Sequence, residues 1–137
     1  MYEWNEFFEI AKEFYDARNN NPSILARKET MLRNSISRAY YAAYHKALRY
    51  LSTHGLNPLS PNESHTYVKD HLDDPVNPNE NKISKKLNEI RVRRKKADYD
   101  NVYNGNIEKE AEATLKTTSE IINEISQRKP GSYTPIN

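Results

Sequence analysis

The sequence predicts an all-α protein, an up-and-down, four/five-helix bundle. Three observations predict it: apolar residues recur at three- and four-residue steps, only three glycines interrupt 137 residues, and proline and asparagine gather between the periodic stretches. A chain of this length has room for one core. A single domain over residues 1–129 is expected, with residues 130–137 as a disordered tail. Hydrophobic residues make up 36% of the chain against 29% charged, and ten Tyr, three Phe and one Trp must fill much of the interior.

The first helix is expected from Tyr2 to Arg18, on Trp4, Phe7, Phe8, Ala11, Phe14 and Tyr15, and Asn19-Asn20-Asn21-Pro22 ends it. The second follows Asn21, with Pro22 suited to its first turn, and continues to Thr53, where His54-Gly55 supplies a stop. A kink or split is expected near Lys28. From Leu32 its stripe runs through Ile36, Ala39, Tyr40, Ala43, Ala47, Tyr50 and Leu51, wide enough to touch two neighbours. A short third helix spans Glu63–Leu72 with Asn62 as N-cap, and Asp73–Asn81 reads as a loop on Pro75 and Pro78. The fourth helix covers Lys82–Asp98, Tyr99–Asn106 turns through Gly105, and the fifth runs from Ile107 to Arg128 on Ile107, Ala111, Leu115, Ile122 and Ile125.

Several chemistries are excluded or disfavoured. Without cysteine there are no disulfides, no thiol catalysis and no cysteine-ligated zinc. No export signal or apolar span is visible, so a soluble, cytoplasmic protein with no membrane partner is expected. Gly55, Gly105 and Gly131 are too scattered for a Walker or Rossmann loop, and no hydrolase serine elbow occurs, so no cofactor is expected. His65 and His71 stand about 240° apart on a helix, which disfavours a two-histidine metal site.

The fourth helix is the most informative segment. Between Lys82 and Lys96 lie eight cations, Lys82, Lys85, Lys86, Arg91, Arg93, Arg94, Lys95 and Lys96, against one acid, Glu89. Such a cluster suits phosphate, and equally a solvated face near a helix C-terminus. Arg94 is distinctive because it falls inside the apolar arc of Ile83, Leu87, Ile90 and Ala97, where a guanidinium needs a partner or a cleft. Asp98, one turn later, can pair with it. On the second helix Arg38, Tyr41 and His45 follow three- and four-residue steps along one edge of the stripe, placed to line a groove facing the fourth helix; His45 is equally readable as a packing residue.

The run Arg38-Ala39-Tyr40-Tyr41-Ala42-Ala43-Tyr44-His45, a histidine at position 65, and Arg91-Val92-Arg93-Arg94-Lys95-Lys96-Ala97-Asp98-Tyr99-Asp100 together resemble the uncharacterised prokaryotic branch of the HEPN superfamily. The resemblance covers nearly the whole chain. It implies a helical bundle, commonly a homodimer, in a superfamily linked to toxin–antitoxin pairs, phage defence and RNA cleavage. Its ribonucleases carry an Arg, four to six residues, then His, often with a Tyr just beyond. Carried over, Arg94 corresponds to the Arg and Tyr99 to the Tyr, while Ala97 stands where the His belongs.

The expected function is therefore an RNA- or nucleotide-binding module using Arg38, Tyr41, His45, Arg91, Arg94 and Lys95, with a minimal nucleotidyltransferase as a partner that the resemblance suggests. The alternatives are a metal-independent endoribonuclease with rearranged catalytic residues, for which Arg94, Asp98 and Tyr99 are the candidates, and a helical scaffold for protein interaction.

Overall fold

The computed structural model describes residues 5–17, 25–53, 65, 68, 72 and 78–127. Its helices are α1 (Asn5–Ala17), α2 (Leu25–Ser52), α3 (Pro78–Tyr99) and α4 (Ile107–Ser126), the last two being the fourth and fifth helices of the sequence reading. His65, Val68 and Leu72, between α2 and α3, are also helical, and no strand occurs among the described residues. The molecule is a helical bundle. The expectations for Trp4, Pro22, Asn62, His71 and the tail from residue 130 lie outside the described residues.

Two boundaries differ from the sequence reading. Helix α2 is continuous through Lys28, where neither glycine nor proline interrupts the hydrogen-bond ladder. Helix α3 begins at Pro78, so the latter part of the expected Asp73–Asn81 loop is helical. Proline lacks only an N–H that the first turn leaves unpaired anyway.

Helix α2 is the centre of the bundle, with 28 residues and contacts to α1, α3 and α4. Its alanines 39, 42, 43 and 47 are all buried, so three neighbours can approach closely. Side-chain pairs fix the directions. Ser35 Oγ donates to Ala11 O at 2.8 Å, and Arg38 lies over the Phe7 ring, so α1 runs antiparallel to α2. Ser37 meets Asp98 and Tyr41 meets Arg94, so α3 is also antiparallel to α2. Lys28 pairs with Glu108, and Thr118 Oγ1 donates to Ala39 O at 3.2 Å, so α4 runs parallel to it.

The core has two parts. The larger joins Tyr40, Tyr44, Tyr50 and Leu51 of α2 to Val68, Leu72, Ile83, Leu87, Ile90, Ile121 and Ile125. The smaller joins Leu32, Ile36, Ala97, Tyr103 and Ala111. On α4 the buried face is Ala111, Thr114, Thr118, Ile121 and Ile125. The expected Leu115 and Ile122 are only half-buried. Two threonines occupy the core because each hydroxyl finds a carbonyl, Thr114 that of Glu110 at 2.7 Å and Thr118 that of Ala39.

The ends of α3 and α4 are held from the side. Arg33 Nη1 on α2 donates to the carbonyls of Ala97 at 3.0 Å and Asp100 at 2.7 Å, capping α3 with a cation where the dipole favours one. Gly105 then turns the chain at φ +111, and the Asn106 side chain accepts from Lys109 N at 3.1 Å to start α4. These contacts fix the level at which the basic face of α3 meets the tyrosines of α2.

Candidate functional site

The antiparallel register of α2 and α3 sets Arg94 opposite the Arg38–His45 stretch. Arg94 Nε donates to Asp98 Oδ2 at 2.7 Å and Nη2 donates to Tyr41 Oη at 2.5 Å, with Tyr99 Oη at the longer distance of 3.4 Å. Its guanidinium also lies 4.9 Å from the Tyr41 ring centre and 5.4 Å from that of Tyr99. The side chain is only 13% exposed. Burial opposes its charge, yet Tyr41 and Asp98 outweigh that and raise its pKa. Asp98 in turn accepts from Ser37 Oγ at 3.2 Å. The apolar-arc argument thus located Arg94 correctly, and the arc residues Ile83, Leu87, Ile90 and Ala97 are buried.

Around Arg94 the rings of Tyr40, Tyr41, Tyr44, His45 and His65 form one aromatic cluster. His65 stacks on Tyr44 at 4.3 Å between centroids, and His45 stacks on Tyr41 at 6.1 Å. Tyr40 Oη lies 2.5 Å from His65 Nδ1. Burial, only partly opposed by Arg91 and Arg94, pushes the Tyr40 phenol far above its usual range, so it keeps its proton, and the His65 tautomer sets which of the two donates. Burial lowers His65 to about 4, and Arg91, Arg94, His45 and Lys95 add to the effect; burial alone lowers His45 to about 4. Both imidazoles are neutral at pH 7.

The cations of α3 divide by partner. Lys86 reaches Glu124 at 2.6 Å and Glu120 at 3.1 Å, Arg93 reaches Glu89 at 2.9 Å, and Lys96 reaches Glu110 at 3.2 Å. Among the described residues no carboxylate pairs with Lys82, Lys85, Arg91 or Lys95; of these, Arg91 and Lys95, one turn apart, are the two whose charges act on His65. An unpaired guanidinium and ammonium on one edge, with neutral imidazole and aromatic rings behind them, can bind an anion and offer it hydrogen-bond donors.

Of the residues expected at a site, the structure brings together Tyr41, His45, Arg91, Arg94, Lys95, Asp98 and Tyr99. Arg38 is not among them: its guanidinium lies 4.9 Å from the Phe7 ring centre, on the α1 side of α2. Ala97 is in the smaller core with Leu32 and Ile36, so position 97 faces the interior and not the groove. Sequence reasoning left Tyr40, Tyr44, His65 and Asn88 out of the site. Tyr40 and Tyr44 share the four-residue step of Tyr41 and His45 and were legible as a second edge; His65 belongs to another element, and no spacing links it to α3.

Among the described residues no group of three His, Asp or Glu side chains is placed to hold a metal ion, and no helix is long and apolar enough to cross a membrane. Comparisons with protein-family models, with curated proteins and with solved structures give no match to the chain.

Proposed function

We propose that the groove between α2 and α3 binds the phosphate of RNA or of a nucleotide, with Arg91 and Lys95 as the ligand-facing cations. The observation that carries this reading is their position near His65 with no carboxylate partner among the described residues; Lys82 and Lys85 also have none there, while Lys86, Arg93, Arg94 and Lys96 on the same helix are ion-paired. In this reading Arg94 and Asp98 hold the groove's shape by bracing Tyr41 and Tyr99. Tyr99 is 70% exposed and offers a base a face to stack on. The resemblance to the HEPN superfamily points the first tests toward RNA, in a toxin–antitoxin or phage-defence setting.

A specific observation favours a second reading, metal-independent RNA cleavage. The catalytic imidazole absent at position 97 has a spatial alternative in His65, which is neutral at pH 7 and adjoins Arg91. One experiment separates the two. Labelled single-stranded RNA is incubated with the protein in EDTA, beside Arg91→Ala, His65→Gln and His45→Ala variants. Binding without cleavage, weakened by Arg91→Ala, supports the binding module. Cleavage lost in His65→Gln supports the nuclease, and RNA neither bound nor cut supports a protein scaffold. Light scattering on the same samples tests the homodimer that the resemblance implies, and pull-down with a minimal nucleotidyltransferase tests that partner.

A further inference from the structure

At the floor of the groove is a crevice of about 10 Å³ whose walls include Tyr40 and Tyr44 and whose polar lining is His65, Asn88 and Arg91. That volume corresponds to about one water-sized oxygen. It is too small for a sugar or a base. Tyr40 and Tyr44 are buried and cannot present a stacking face, so the crevice is a seat for an atom and not for a ring.

The lining is mainly apolar, with Val68 and Leu87 beside the two tyrosines, and its donors come from a few polar side chains. Arg91 brings guanidinium N–H groups and Asn88 brings an amide NH₂. Tyr40 Oη and His65 Nδ1 share a hydrogen bond at 2.5 Å; in the tautomer where Nδ1 accepts, the ring hydrogen is on Nε2, across the ring from Tyr40. That tautomer has an Nε2 donor to give. An anionic oxygen would be matched.

We infer that Asn88, Arg91 and His65 form a seat for one phosphoryl oxygen, so that the ligand enters the groove phosphate first and its base stays outside. This rests on the reading of the groove as a phosphate-binding site and adds to it two residues, Asn88 and His65. Lys95, one turn beyond Arg91, faces the remaining phosphoryl oxygens. A tetrahedral phosphate uses the seat and the ammonium together, which a planar carboxylate does less well.

Asn88 is exposed and makes no hydrogen bond among the described residues, so it can be changed without touching the core. Asn88→Leu fills the seat with methyl groups, and Asn88→Asp places a negative charge in it. Titration calorimetry with inorganic phosphate, AMP and a short single-stranded oligoribonucleotide, with acetate as control, reads the effect, and thermal melting verifies the fold. The expected result is a loss of about tenfold in affinity for the phosphate ligands with Asn88→Leu, which is 1.4 kcal/mol. A larger loss is expected with Asn88→Asp, and no binding of acetate. Where the Asn88 variants lower it, affinity confined to the oligonucleotide assigns a chain phosphate and affinity for AMP a nucleotide; both then uphold the seat. Unchanged affinity in both Asn88 variants, with binding lost in Arg91→Ala, overturns the seat and leaves the groove reading standing. Acetate bound as tightly as phosphate overturns the phosphoryl assignment. No phosphate ligand bound by the wild-type protein overturns both.

Discussion

Replacing Arg94 by methionine removes a guanidinium that braces three side chains, and the cost can be worked from its contacts. The 2.7 Å bond to Asp98 and the 2.5 Å bond to Tyr41 are the principal losses. A hydrogen bond involving a charged group contributes about 1.5–3 kcal/mol net. The Asp98 side chain is 27% exposed and still accepts from Ser37, so water and that hydroxyl stabilise the orphaned carboxylate, and the several-kcal penalty of a stranded buried charge does not apply. Methionine keeps contact with the tyrosine rings and offsets part of the lost cation–π attraction. The balance is a destabilisation of about 2–3 kcal/mol, which for a domain of this size lowers Tm by roughly 8–12 °C. Arg91→Ala, with no carboxylate partner to lose among the described residues, should change stability by less than about 0.5 kcal/mol. Parallel thermal melts by circular dichroism read both. A melt of Arg94→Met within 2 °C or so of wild type, or an equal loss in Arg91→Ala, would refute the division between a bracing arginine and a ligand-facing one.

Arg33→Ala removes the side-chain cap on the Ala97 and Asp100 carbonyls; a loss of about 1–2 kcal/mol is expected, with faster hydrogen exchange at the end of α3 than elsewhere in the helix. Gly105→Ala places a Cβ on a residue at φ +111 and 2.8 Å from Glu110 Oε2; a lowered Tm is expected from the backbone conformation alone, and an unchanged Tm would contradict it. His45 and His65 carry folded pKa values of about 4, below their ordinary 6.5. Between those values the unfolded chain binds protons that the folded one does not, so stability falls as pH drops from about 6.5 toward 4 and levels off above 7. Denaturant midpoints across that range should flatten in the His45→Gln, His65→Gln double variant.

What could be read from the sequence is what depends on one helix at a time. The step from Ile83 to Leu87, Ile90 and Ala97 fixes which face of α3 is apolar, and Arg94 falls on that face whatever the helix packs against; the Asp98 pair follows from the same four-residue step. The α2 stripe was legible for the same reason. Packing decides the rest. Thr114 and Thr118 displace Leu115 and Ile122 from the core of α4 because a carbonyl accepts from each hydroxyl, and for Thr118 that carbonyl, Ala39, lies on α2. Arg38 shares the Tyr41 edge in spacing, yet Phe7 draws it to the α1 side. His65 reaches Tyr40 across 25 residues, a pairing that no periodicity encodes. The charges behave likewise: the basic run of α3 is plain in the sequence, but which cations are neutralised depends on where Glu110, Glu120 and Glu124 of α4 come to lie.

The salt dependence of RNA affinity tests the central claim most directly. If Arg91 and Lys95 each neutralise one phosphate of a single strand, log K should fall with log salt at a slope of about −1.4 beyond any contribution from other cations. The Arg91→Ala, Lys95→Ala double variant should lose that much of the slope while its Tm is unchanged. A slope the same in wild type and double variant, with RNA still bound, would contradict the account and move the binding surface away from this groove.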